Sequence, residues 1–295
     1  MKIAYLILAH NTPKHLQRLI TALSSSSSCF FIHLDKKSDV DAFLGIDGDN
    51  IHFAETPIPV FWGDFSQVEA ILVLLRAAFA DRCCFDRFVL LSGADYPLRT
   101  AFYIETFFEN NQSKEFMDLI AMPSDIAGKP ISRLTTYKLR AGGRTVSKVM
   151  RKVLMAAGAL PKRRDYKTYL RDLAPYGGSS WWAISREACD FILTFVHKNI
   201  EVVTFFKNTH CPDECFFHTI LGNSPLRSRI VRSLTYADWR AGKSSPAFIN
   251  EEHLAFFQST SSFAADGVLG GGEMLFARKF TDESGDLVAR INRGC

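Results

Sequence analysis

Residues 209–220, THCPDECFFHTI, set His210, Cys211, Asp213, Glu214, Cys215 and His218 within nine positions. Side chains of these types either hold a metal ion or move protons in acid/base chemistry. A zinc site needs four ligands converging on a tetrahedron, and along one helix only residues three or four apart share a face. Pro212 suits a first helical turn, because the N–H it lacks is one the helix leaves unpaired there. In such a helix Cys211 and Cys215 share one face and Glu214 and His218 another, so the four close on one ion only across a break. No second Cys or His pair lies nearby in sequence to complete either set. Acid/base chemistry is better served: Asp213 and Glu214 fall in the first turn, where the helix dipole favours the ionised, proton-accepting form. For each carboxylate the alternative is a capping role.

Two Asp-x-Asp patterns, Asp39-Val40-Asp41 and Asp47-Gly48-Asp49, are of the kind that holds a metal bridging a diphosphate. Both lie in polar, turn-rich sequence. The end of a central apolar strand is held instead by Ser92-Gly93-Ala94-Asp95, with one carboxylate. No metal pair is expected where one would be wanted, and fixed cations must then stabilise a leaving diphosphate. Arg278 and Lys279 are the first candidates, followed by Arg240 and Lys243, each with a solvated surface role as its alternative. Trp62, Trp181, Trp182, Trp239, Tyr176 and Tyr236 offer flat apolar faces on which sugars stack or which simply fill a core; Trp239, in the polar context YADWR, is the one expected to be exposed.

The elements that must position these groups read as α/β. Residues 2–9 are an apolar run, followed by His-Asn-Thr-Pro and a periodic stretch at 15–23; a second apolar run at 29–34 ends in Asp35-Lys36-Lys37. This β-α-β opening predicts a mostly parallel central sheet flanked by helices, with ligands gathered where strands end in loops. Further strands are expected at 50–53, 88–92, 116–122 and 179–184, and helices at 65–80, 101–110, 145–158, after Ser185 as N-cap, and from Pro212.

A chain of 295 residues with 47% hydrophobic and 22% charged residues has ordinary globular composition. The net charge of +4 is mild, but residues 138–167 are strongly basic. That stretch is either a solvated surface or a peripheral contact with a membrane. Nucleic acid is not an expected partner. Seven scattered cysteines fit a reducing compartment better than a disulfide scaffold, the opening apolar run is short for a signal peptide, and no window reaches the roughly 18 apolar residues of a membrane span. A cytoplasmic protein, at most peripheral at the inner membrane face, is expected.

Eight stretches, taken in order, resemble the core-2/I-branching family of glycosyltransferases, which includes β-1,6-N-acetylglucosaminyltransferases and protein xylosyltransferases. They are YLILAHNTPKHLQRLI, FIHLDKKS, VFWGDFSQVEAILVLLRAAF, FVLLSGADYPLRT, GGSSWWAISREACDFI, CPDECFFHTIL, YADW and LFARKF, spread over nearly the whole chain. The resemblance implies a GT-A-like fold in one domain, residues 1–295, with a nucleotide-binding half at 1–122 and an acceptor-binding, catalytic half at 123–295. It implies metal-independent, inverting transfer of GlcNAc or xylose from a UDP-sugar to a hydroxyl of a glycan or lipid-linked saccharide, with no cofactor besides that donor. Carried onto this sequence, the catalytic base is Glu214, with Asp213 positioning the acceptor side. Lys279, with Arg278 beside it, stands in for the metal at the diphosphate, and Lys243 or Arg240 is the counterpart of a second diphosphate contact. His10, Asn11, Asp35 and Lys36 match the uracil and ribose region, and Asp95 and Tyr96 the sugar and diphosphate. Trp239, Trp182 and Arg133, with Lys129, match the acceptor side. A non-catalytic sugar-nucleotide or glycan-binding module on the same fold is the alternative.

Overall fold

A computed structural model of the chain describes residues 1–138, 140–141, 144–145, 148–159, 163–240, 242, 245–266 and 268–294. The opening is β1 (Ile3–Ala9), α1 (Pro13–Leu23) and β2 (Ser28–Leu34), the two strands parallel and in register from Ile3 opposite Ser28 to Ala9 opposite Leu34. β3 (Ile51–Phe53) continues the sheet beyond β2, and β4 (Arg87–Ser92) lies parallel to β1 on its other side. Uninterrupted apolar sequence makes these central strands because both faces are covered. Alternate β1 residues divide between the faces: Ala4 and Leu6 pack with Val68, Ile71 and Leu75 of α2 (Phe65–Ala80), and Ile3, Tyr5 and Ile7 pack with Leu16, Leu19 and Ile20 of α1. Asp64 caps α2, its carboxylate accepting from Ser66 N–H at 3.0 Å.

Among the described residues the main sheet runs in the order Ile230–Val231, β6 (Glu115–Phe116), Ala183–Ser185, β4, β1, β2, β3. Ala183–Ser185 is antiparallel to its neighbours, so the sheet is mixed but mostly parallel, as expected, and later strands complete a sheet begun by the earlier ones. A second, three-stranded sheet joins Thr235–Ala237, Phe276–Arg278 and β5 (Asp95–Pro97), with Arg278 directly opposite Asp95. α3 (Ala101–Asn110) follows β5, and the helix Arg186–Lys198 starts from Ser185, whose hydroxyl accepts from Ala188 N–H at 3.1 Å. No helix of the described residues is long and apolar enough to cross a membrane.

Three expectations are corrected. The strand expected over 116–122 is two short pieces, β6 and Ile120–Ala121. They are separated where buried Asp118 accepts from Ser233 N–H at 3.0 Å and turns the chain, and the second piece pairs with Tyr176–Gly177. The strand expected over 179–184 forms only at Ala183–Ser185. The helix expected from Pro212 is a single 3-10 turn, Pro212–Glu214, interrupted at Cys215 (φ −146°) before an α-helix, Phe216–Gly222. Within 145–158 the helix spans Lys148–Ala156, preceded by an antiparallel pairing of Arg144–Thr145 with Arg140–Ala141.

Candidate active site

The turn bearing Glu214 is wedged between two backbones. Cys211, in the left-handed region at φ 48°, donates its N–H to Gly63 O at 3.1 Å; Gly63 is itself at φ 61°, and a Cβ there would lie 3.0 Å from Cys211 Sγ. On the other side Gly178 N–H donates to Glu214 O at 2.9 Å, where a Cβ would fall 2.0 Å from Asp118 O. Glycine is required at Gly63 for its dihedral and at Gly178 for the close approach.

Two cations meet the Glu214 carboxylate. Oε2 accepts from Lys129 Nζ at 2.5 Å and from Arg133 Nη1 at 2.7 Å, and Lys129 also donates to Gly178 O at 2.7 Å. Arg133 is on the short helix Ser132–Thr135, and Lys129 closes the turn before it by donating its N–H to Ser124 O. Burial pushes the Glu214 carboxyl up, but the charges and hydrogen bonds of Lys129 and Arg133 outweigh it and hold the group below the usual glutamate range. Asp213 is the opposite case. Its Oδ2 accepts from Ser180 Oγ at 2.6 Å and Gln67 Nε2 at 3.1 Å, Oδ1 has no partner among the described residues, and burial followed by the Glu214 charge raises its pKa to about 6. Two adjacent carboxylates are thus driven apart, one kept ionised and one poised near neutrality.

The break at Cys215 that a metal reading requires does occur, yet these ligand-type side chains are engaged locally. Cys215 Sγ faces Cys211 O, His218 Nε2 lies 2.8 Å from Ser179 O, and His210 Nδ1 is 3.0 Å from Lys138 Nζ. Exposed Trp62 stands edge-on to the His210 ring at 5.7 Å.

A second cluster lies where β1, β2 and β4 end. Asp95, fully buried, accepts from Ser92 Oγ at 2.6 Å and Ser92 N–H at 2.9 Å. Arg278 Nε is 3.5 Å from its carboxylate without making a hydrogen bond, and the guanidinium lies over the Trp181 ring at 4.1 Å. Burial lowers the pKa of Arg278, against the opposing pull of Asp95 and Asp213; the Trp181 beneath it follows Ser180, whose hydroxyl donates to Asp213, and this connects the strand-end cluster to the Pro-Asp-Glu turn. Lys279 is half-buried over Phe248, its pKa lowered by burial and then by Arg278. His10 is lowered by burial and feels Asp35, Lys279, Lys37 and Arg278, which places the first loop, the second loop and the late cations in one neighbourhood. Asp35 N–H donates to Ala9 O at 2.8 Å and Ser38 Oγ to His10 O at 2.8 Å, stitching the two loops together.

Several expected site residues are engaged within the protein. Asp35 takes its ion pair from Lys37 Nζ at 2.5 Å, while exposed Lys36 uses its N–H on Ile58 O. Burial pushes the Asp35 carboxyl up, but the hydrogen bonds from Lys37 outweigh it and leave the pKa lowered. Tyr96 turns into the core, where its hydroxyl donates to Asn292 at 3.0 Å, so it does not line the cluster. Trp182 is buried against Phe217, with ring centroids 5.7 Å apart; its neighbour Trp181 is the tryptophan under Arg278. Arg240 is occupied by Asp238, donating from Nε at 3.0 Å and Nη2 at 2.8 Å. Trp239 is 55% exposed, as its polar context led one to expect, and Asn11 is exposed. Lys243 lies outside the described residues. Gln67 and Ser180, which hold Asp213, carry no signal in sequence beyond being polar among apolar neighbours.

A separate cavity of about 470 Å³ opens at the opposite, amino-terminal ends of the strands, lined in part by Arg87, Ser185, Arg186 and Arg229. Arg87 there is a core anchor, donating to the carbonyls of Asn111, Gln112 and Lys114 beside Glu115. The carboxylate and cation clusters lie toward the other ends of the strands.

Paired carboxylates and partly buried cations gather where parallel strands end, the place where α/β folds collect their ligands. Residues 3–258 match the model of the Core-2/I-Branching enzyme family, and the chain belongs to that family. It is 24% identical over 252 residues to Xylosyltransferase 2 of Rattus norvegicus and 25% identical over 254 residues to Xylosyltransferase 1 of Canis lupus familiaris. Each match takes in 81% of this chain, with 27% and 24% of the relatives respectively, so the chain spans about a quarter of their length. Among solved structures, mouse Xyloside xylosyltransferase 1 in its apo form aligns with a TM-score of 0.34 at 11% identity, covering 91% of this chain and 96% of that one. The 4-diphosphocytidyl-2C-methyl-D-erythritol synthase of Anaerococcus prevotii aligns at 0.33 and 11%, covering 71% and 86%.

Proposed function

We propose that the chain is an inverting glycosyltransferase of GT-A-like architecture that moves a sugar, GlcNAc or xylose, from a UDP-sugar to a hydroxyl of a glycan acceptor without a divalent metal. The observation that carries this reading is Glu214 beside Asp213, its Oε2 paired with Lys129 and Arg133, with Arg278 stacked on Trp181 next to the serine that holds Asp213. Lys129 and Arg133 both bind Oε2, so Oε1 is the oxygen offered to an acceptor hydroxyl. As that hydroxyl oxygen attacks the anomeric carbon, its proton passes to Glu214 and the bond from the anomeric carbon to the β-phosphate oxygen breaks. UDP departs with the electron pair, and Lys279 and Arg278 meet its charge. Trp239 and Arg133 face the acceptor, and His10, Asn11 and Asp35 the nucleoside.

A screen of UDP release from UDP-GlcNAc and UDP-xylose tests this directly. Release is expected with one of the two donors, and at an equal rate in EDTA; abolition by EDTA and restoration by a divalent ion would overturn the metal-independent step.

A non-catalytic binding module is the competing reading, favoured by the double ion pair on Glu214, which a purely structural carboxylate would also make. It predicts nucleotide binding without turnover across a panel of donors.

The pH dependence separates the two as well. Catalysis needs Glu214 ionised, and its pKa is held down, so activity should be lost only as pH falls through that lowered value. Lys129→Met removes a cation, raises the pKa, and is expected to move the acid limb of kcat/KM to higher pH. An unmoved limb would mean that another group sets it.

A further inference from the structure

Residues 138–167 hold ten Lys and Arg against one acid, Asp165, so a chain of formal charge +4 concentrates +9 in this stretch and is net −5 elsewhere. The stretch leaves and rejoins the fold at one place. Lys138 N–H donates to Asn208 O at 2.9 Å, and its ammonium reaches Gly63 O at 2.5 Å and lies 3.0 Å from His210 Nδ1. At the far end Arg164 N–H donates to Thr135 O at 3.0 Å, and its buried guanidinium donates to Asn208 O at 2.9 Å, to Thr209 Oγ1 at 3.1 Å and to Phe205 O. Asn208 and Thr209 run directly into the turn that carries Glu214. Whatever the intervening excursion touches is therefore held next to the acceptor side of the site.

Between these anchors lies the helix Lys148–Ala156. Val149 and Val153, one turn apart on the same face, are 71% and 55% exposed, with Met150 beside them at 52%. Lys152 on the helix, and Arg163 and Lys167 after it, are exposed. Apolar side chains at one-turn spacing among basic ones are the pattern of a helix that lies in a lipid headgroup boundary. A nucleic acid would match the charge and leave the valines in water. A second copy of the chain meeting this face about a two-fold axis would set the same positive charge against itself.

We infer that the helix Lys148–Ala156 and the exposed basic residues after it dock on an anionic lipid bilayer, Val149 and Val153 entering the headgroup boundary and Lys152, Arg163 and Lys167 meeting lipid phosphates. Because the excursion is rooted beside Glu214, the acceptor class is a saccharide carried on a lipid. That last step rests on the transferase reading; the docking does not.

The test sediments the full chain, without donor or acceptor, with vesicles of phosphatidylcholine alone or mixed with phosphatidylglycerol. The chain is expected to sediment with the mixed vesicles only, and less at high salt. Partitioning should fall on the order of ten-fold in Val149→Ser/Val153→Ser and about five-fold for each of Lys152→Gln and Arg163→Gln. Glu214→Gln should sediment like the wild type, and the valine variant should release UDP with a soluble acceptor at the wild-type rate. Equal sedimentation with both vesicles, none with either, indifference to the valine substitutions, or self-association that those substitutions abolish would each overturn the docking. Vesicle binding in a chain that turns over no donor would fault the transferase reading and leave the docking standing.

Discussion

Glu214→Gln is expected to lower kcat by about 10² to 10⁴ while nucleotide affinity and thermal stability stay near the wild-type values. The amide keeps the shape of the carboxylate and an oxygen that can still accept from Arg133 or Lys129, whose 2.7 and 2.5 Å contacts define the present geometry. What it loses is the capacity to accept a proton. The turn is held by backbone bonds that the substitution does not touch, from Gly178 N–H to Glu214 O and from Cys211 N–H to Gly63 O. A loss confined to kcat therefore reads as chemistry, and a fall in melting temperature as structure. Full activity in this variant would remove Glu214 from the role of base. Asp213 is then the group to examine, because its pKa of about 6 leaves it largely ionised at neutral pH. Asp213→Asn, which keeps an oxygen for Ser180 and Gln67, is expected to act mainly on KM, as a positioning residue should.

Lys279→Met is expected to reduce kcat by about 10² to 10³, the usual scale for removing one group that meets charge developing in a transition state, with Lys279→Arg recovering part of the loss. Lys279 is the cleaner probe of the pair. Arg278 is buried against Trp181 and Asp95, and its removal would leave the Asp95 carboxylate enclosed without a cation, so folding and catalysis would fail together. Lys279 is only half-buried, and burial and its neighbour lower its pKa without tying it to a carboxylate partner among the described residues. The comparison to make is kcat against KM for both substitutions, with and without added Mg²⁺. An unchanged kcat would sink the assignment, and rescue by the metal would show that the site can use an ion where it otherwise uses the side chain.

The parts of the fold legible in sequence were those with a local cause. Strands buried on both faces need unbroken apolar runs, so residues 3–9, 28–34 and 87–92 announce themselves, and Asp64 and Ser185 mark helix starts because a side-chain oxygen must meet an orphan N–H. The misplacements came where local chemistry permits two outcomes. Pro212 starts a 3-10 turn as readily as an α-helix, and the interruption at Cys215 lies in a backbone torsion that no side chain advertises. Choosing between Trp181 and Trp182 required phasing a strand that forms only from Ala183 onward. Lys37 rather than Lys36 pairs with Asp35 because the carboxylate also accepts from Lys37 N–H at 3.0 Å, a turn that folds the second lysine back onto it. Gln67 and Ser180 meet Asp213 from distant parts of the chain, so only the folded arrangement shows them.

The short strand Phe276–Arg278 pairs its last residue with Asp95, and α1 meets the same region through His15, whose Nε2 lies 3.0 Å from Asp95 O and whose N–H donates to Asp282 at 2.7 Å. The groups gathered there come from distant parts of the chain: His15 and Asp95 lie within the first hundred residues of the sequence, and Arg278 and Lys279 more than 180 positions beyond Asp95. A chain cut between Val231 and Phe276 therefore keeps every described strand of the main sheet and loses both cations of the strand-end cluster.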